Sequence, residues 1–137
     1  MPMLTENDVV EAVSSFLTKN GYSIDKALNT RQQGIDIEAT APSGLKCFVE
    51  AKGATSSKRE SSRYGKEFDN NQVKTHVGVA LLKSFQTLHK YKSSEVVIAL
   101  PNNKAHRSLV ESIYSPIKAS GIRIFLVNQD GTVDIFI

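Results

Sequence analysis

Apolar residues near the start of the chain recur at helical spacing: Val9, Val13, Phe16 and Leu17 fall on one face. Thr5, with Asp8 three residues on, is a capping-box pattern with aspartate in the glutamate position, and Asn20-Gly21 is a stop signal. Residues 5–20 therefore read as an amphipathic helix, and residues 22–28 as a first strand. The period then changes. Gly34-Ile35-Asp36-Ile37-Glu38-Ala39 alternates apolar with polar. The stretch from Leu45 to Lys52 does the same, with Leu45, Cys47, Val49 and Ala51 on one face and Lys46, Phe48, Glu50 and Lys52 on the other. Ala41-Pro42-Ser43-Gly44 between them is turn chemistry, so the pair predicts an antiparallel hairpin.

Residues 53–71 show no periodicity and are rich in Ser, Gly, Asn and charge. They predict a long irregular loop, a kind of segment that in compact domains tends to be functional or disordered. Val73, Val77, Leu81, Phe85 and Leu88 mark a second helix over 70–91, and Glu95 to Leu100 a short buried strand closed by Pro101. Residues 103–119 read as a third helix, which Pro116 is expected to break. Residues 122–127 and 133–137 complete the set as strands around Gln129-Asp130-Gly131. The order α-β-β-β-α-β-α-β-β predicts an α/β protein with a mixed β-sheet flanked by helices.

At 137 residues the chain has the size of one domain, and residues 1–137 are read as one. A hydrophobic fraction of 40% and a charged fraction of 23% suit a globular protein. No apolar run approaches the roughly 18 residues of a membrane span. The N-terminus has no basic segment followed by an apolar one, so no secretory signal is expected. Cys47 is the single cysteine; it alternates with Val49 as a core residue and has no internal disulfide partner. The expected location is the cytoplasm.

The net charge of +3 is unevenly spread. Residues 1–50 carry four basic and seven acidic side chains, residues 51–92 nine and three, and residues 93–137 four of each. Positive charge concentrated in the middle third points to a polyanion, or else to a solvated loop and helix face.

The candidate chemistry lies in the hairpin. Asp36 and Glu50 sit on neighbouring strands between apolar residues, and buried carboxylates are costly unless paired, hydrogen-bonded or bound to a metal. Lys52 follows Glu50 on the same face at roughly 6–7 Å. Two convergent carboxylates beside a lysine can hold a hard cation through oxygen ligands, with the Ala51 carbonyl as a further ligand. Such a cation polarises a phosphodiester and activates water, while the lysine orients that water or offsets developing charge. The bare spacing also fits a solvent-facing Glu50–Lys52 pair with Asp36 near a turn. There is no Cys/His cluster at zinc spacing, no Walker-type loop and no Gly-x-Ser-x-Gly elbow.

Gly-Ile-Asp36-Ile-Glu, a turn, then Cys-Phe-Val-Glu50-Ala-Lys52-Gly resembles the PD-(D/E)XK nuclease superfamily, with Gly-Ile-Asp in place of Pro-Asp. The stretch from Glu50-Ala-Lys52 to Gln72-Val73 is similar to the archaeal Holliday-junction resolvase and Mrr-like restriction branches. The resemblance covers roughly residues 5–100. It implies a restriction-endonuclease-like fold and a Mg²⁺-dependent endodeoxyribonuclease, with Mn²⁺ as a substitute and branched or foreign DNA as candidate substrates. By the resemblance Asp36 and Glu50 are metal ligands, Lys52 positions water or stabilises charge, and Gln72 supports the site or the scissile phosphate. It also implies a glutamate from the first helix. Glu6 falls within the arc of Val9, Val13 and Leu17 while Glu11 points nearly opposite, so Glu6 is the candidate metal ligand.

Each assignment has a plainer counterpart. Glu6 suits a helix first turn through the dipole alone, and Gln72 is also an ordinary polar residue near a helix start. Lys58, Arg59, Arg63 and Lys66 are candidate phosphate contacts and Tyr64 a base-stacking residue, or they belong to a disordered basic loop. His76, one turn after Gln72, either reaches the substrate or is exposed. For the whole chain, the alternatives are a non-catalytic module that binds nucleic acid or protein, and a nuclease subunit of a larger defence or recombination complex. A homodimer or a partner subunit would then supply specificity.

Overall fold

A computed structural model describes residues 3–28, 34–55 and 68–136. It is an α/β structure. The elements are α1 (Glu6–Lys19), β1 (Ser23–Ala27), β2 (Ile37–Thr40), β3 (Lys46–Ala51), α2 (Asn70–Lys90), β4 (Glu95–Pro101), α3 (Lys104–Ser120), β5 (Arg123–Val127) and β6 (Val133–Ile135). The strands form one mixed six-stranded sheet in the order β1-β2-β3-β4-β5-β6. β3, β4 and β5 run parallel, and the remaining neighbours are antiparallel. Among the described residues no helix is long and apolar enough to cross a membrane.

The two-residue period of the strands divides the core into two layers. Val9, Val13 and Leu17 of α1 pack on Ile37, Ala39, Cys47, Val49, Ala51, Val97 and Phe125. Val73, Val77 and Ala80 of α2 and Val110 and Ile117 of α3 pack on the opposite sheet face, against Val96, Ile98, Leu100, Ile124 and Leu126. Cys47 is fully buried in the first layer, and burial pushes its thiol up to about 12. The same alternation sends Phe48 and Glu50 toward α2, where Phe48 stacks on Tyr91 at 4.7 Å.

α1 starts on the expected capping box, in which the Thr5 hydroxyl accepts the Asp8 N–H and the Asp8 carboxylate accepts the Thr5 N–H. α2 starts on another, closed by Asp69 and Gln72. Three expectations need correction. The hairpin strands are shorter than their alternating patterns: Asp36 immediately precedes β2 and Lys52 immediately follows β3. The last strand stops at Ile135. Pro116 does not break α3. It lies on the solvent face near the helix end, where water can satisfy the carbonyl left without an amide partner, while Ile117 anchors the final turn in the core. Most of the expected loop, residues 56–67, lies outside the described residues.

Candidate active site

The β2–β3 register pairs Ile37 with Val49, Glu38 with Phe48 and Ala39 with Cys47. Continued by one residue, it sets Asp36 directly opposite Glu50, at the separation where cross-strand side chains interact. The Asp36 backbone carbonyl accepts the Leu28 N–H at 2.7 Å, and its Oδ2 accepts the Ala51 N–H at 2.8 Å. The side chain therefore completes the hairpin where the β2 backbone has left it. The Lys52 N–H donates to the Ala99 carbonyl of β4 at 3.0 Å. N–H and C=O of one strand residue point the same way, so the Ala51 carbonyl is turned toward Asp36.

A third carboxylate comes from α1. Gly53 permits this: a side chain there would meet the Glu6 nitrogen at 2.5 Å and the Thr5 carbonyl carbon at 2.7 Å. The Ala54 N–H donates to the Leu4 carbonyl at 2.8 Å, which ties the start of α1 to the end of β3. Glu6, Asp36, Glu50 and Lys52 thus line one cavity of about 660 Å³, whose other wall is α2 with Lys83, Gln86, Thr87 and Lys90, followed by Tyr91.

Burial dominates the electrostatics. Glu50 is only 5% exposed; loss of solvent, then repulsion from Asp36, pushes its carboxyl up to about 7. Burial also raises Asp36, against the opposing pull of the Ala51 N–H and of Lys52. Glu6 is raised by burial first and Asp36 second. Asp36 and Glu50 face each other across the hairpin, so without a cation protonation of one of them offsets their repulsion. The Lys83 Nζ stands 3.9 Å from Glu50 Oε2. Lys52 and Lys83 act on all three carboxylates. Lys52, Lys83 and Lys90 thus set three ammonium groups against the three acids around the cavity.

The oxygen-only donor set, a buried and a half-buried carboxylate facing each other with a third beside them and a carbonyl turned the same way, suits a hard divalent cation. Among the described residues no three acidic, histidine or cysteine side chains are yet gathered around one point. In this arrangement Asp36 is engaged by the Ala51 amide and Glu50 by Lys83.

Gln72 is not part of the cavity wall. Its Oε1 accepts the Asp69 N–H at 2.8 Å while the Asp69 carboxylate accepts the Gln72 N–H, so its side chain caps α2. The pattern Asp69-x-x-Gln72 was the available signal for that role. His76 is half-buried, edge-on to Phe68 at 4.6 Å, and burial followed by the Lys52 charge lowers its pKa. Glu11 is exposed on α1. Lys58, Arg59, Arg63, Lys66 and Tyr64 lie outside the described residues. Sequence reasoning missed Lys83, Gln86, Thr87 and Lys90. Their i, i+3, i+4, i+7 spacing makes one polar stripe on α2, but nothing in the sequence separates that stripe from a solvated face.

No protein-family model, curated protein or solved structure matches the chain.

Proposed function

We propose that this chain is a metal-dependent endodeoxyribonuclease with a restriction-endonuclease-like fold, hydrolysing DNA phosphodiesters, with branched and foreign DNA as the substrates to test. The observation that carries the reading is half-buried Asp36 opposite buried Glu50, with Lys52 beside them at the end of β3. Two facing acids with restricted access to water are unfavourable for folding alone, and a cation site accounts for them.

Asp36, Glu50 and the Ala51 carbonyl would hold Mg²⁺ or Mn²⁺, with Glu6 at its margin. The bound ion supplies a Lewis acid for a phosphoryl oxygen and lowers the pKa of a coordinated water. Lys52, held by its backbone bond to β4, keeps an ammonium group at the cavity and balances charge that builds on the phosphate. Asp36 keeps its place through the Ala51 N–H, which fixes one carboxylate oxygen.

The test is nicking of supercoiled plasmid and cutting of branched duplexes in Mg²⁺ or Mn²⁺. Lys52→Ala is expected to lower the rate by roughly a hundredfold or more. Equal activity in wild type and Lys52→Ala, or none in wild type, contradicts the reading.

A further inference from the structure

We propose that Lys83 is the built-in counter-ion of the ion-free site: it neutralises Glu50 until a divalent cation takes its place, and then turns into the cavity toward the substrate phosphate. The inference rests on the metal-dependent reading above and assigns to α2 a role in it.

The two lysines of the cavity are held differently. Lys52 is at the end of β3, with its backbone bonded to Ala99. Lys83 reaches in from a helix, and its side chain is 49% exposed while that of Glu50 is 6% exposed. The separation of 3.9 Å is longer than a charge-assisted hydrogen bond, so the pair is held by charge and not locked by geometry. A buried carboxylate facing a half-solvated ammonium on a flexible stem is an arrangement in which the lysine can leave at little cost. It also must leave, because a divalent ion bound to Glu50 would repel it at this distance.

The wall gives the ammonium group somewhere to go. Gln86, Thr87 and Lys90 continue the same helix face along the cavity. Lys90 is already engaged, with its Nζ 5.2 Å from the centre of the Tyr91 ring. Lys83 is therefore the lysine of this wall that faces the carboxylates, and its displacement would carry positive charge from the acids to an incoming phosphodiester.

The experiment compares Mn²⁺ affinity by calorimetry and by loss of the free-ion EPR signal, at pH 8 without DNA, for wild type, Lys83→Gln, Lys83→Arg and Lys90→Gln. Removing the competing charge in Lys83→Gln should tighten Mn²⁺ binding roughly two- to fivefold, the scale of a partly exposed ion pair. Lys83→Arg and Lys90→Gln should match wild type. Position 83 is exposed on a helix, so all variants should fold, which circular dichroism checks. If wild type binds Mn²⁺ and Lys83→Gln binds it no more tightly, or if Lys90→Gln tightens it equally, the role of Lys83 fails and the nuclease reading stands. If wild type binds no Mn²⁺, both fall.

Discussion

Glu50 is the residue on which the site's energetics turn. Its carboxyl titrates near 7 in the folded chain, against an ordinary value of 4.5, because burial and Asp36 oppose its ionisation. The folded state therefore holds this proton more tightly than the unfolded state does. The resulting stability is fully present below 4.5 and is lost as pH rises through about 7. In chelator at pH 8, Glu50→Gln should raise the Tm by about 5 °C, and the gain should shrink as pH falls toward 4.5. A variant less stable than wild type at pH 8 would show that Glu50 is not under the strain described. Asp36, Glu50 and Lys52 were legible because their types contradict their apolar neighbours and their spacing follows a strand period. Glu6 was legible as one of two readings, and the fold brings it to the cavity. Gln72 was read toward the site because it opens a helix after the motif. Its side chain was already spent on the Asp69 cap, a local bond that competes with any distant role. Lys83 carried no such contradiction, since a lysine on a polar helix stripe looks the same whether it meets water or a carboxylate.

At the scale of elements, the site depends on how closely α1 approaches the end of β3. Gly53 sets that distance, because a methyl group there would collide with backbone atoms of Thr5 and Glu6, which cannot turn aside. Gly53→Ala should cost about 1–3 kcal/mol, read as a lower urea midpoint; an unchanged midpoint would mean that the helix start moves freely. The helices and the hairpin were visible in the periodicity, and their ends were less so. β2 gives up ladder pairing at Asp36, where a side-chain bond to Ala51 replaces a backbone one. Alternation continues through that change, so the pattern extends past the strand. Pro116 was expected to break α3, but near a helix end on the solvent side its missing N–H is tolerated.

Across the whole molecule, the cavity lies where the two helical layers meet at one end of the sheet. α1 brings an acid from one face and α2 a cationic, polar wall from the other, while β3 carries Glu50 and Lys52 between them. Two-sided packing explains how ionisable groups come to be sheltered beside the apolar core. The mixed sheet with flanking helices follows from the segment types, but which helix faces which strand end depends on contacts distant in sequence, and these place Lys83 beside Glu50. The proposed nuclease requires that this junction bind an ion. The direct measurement is a crystal structure with Mn²⁺ and its anomalous scattering. The expected result is one Mn²⁺ peak bound by Asp36, Glu50 and the Ala51 carbonyl, with the Lys83 ammonium moved away from Glu50. Mn²⁺ absent from that point, or held elsewhere, would contradict the metal-dependent site.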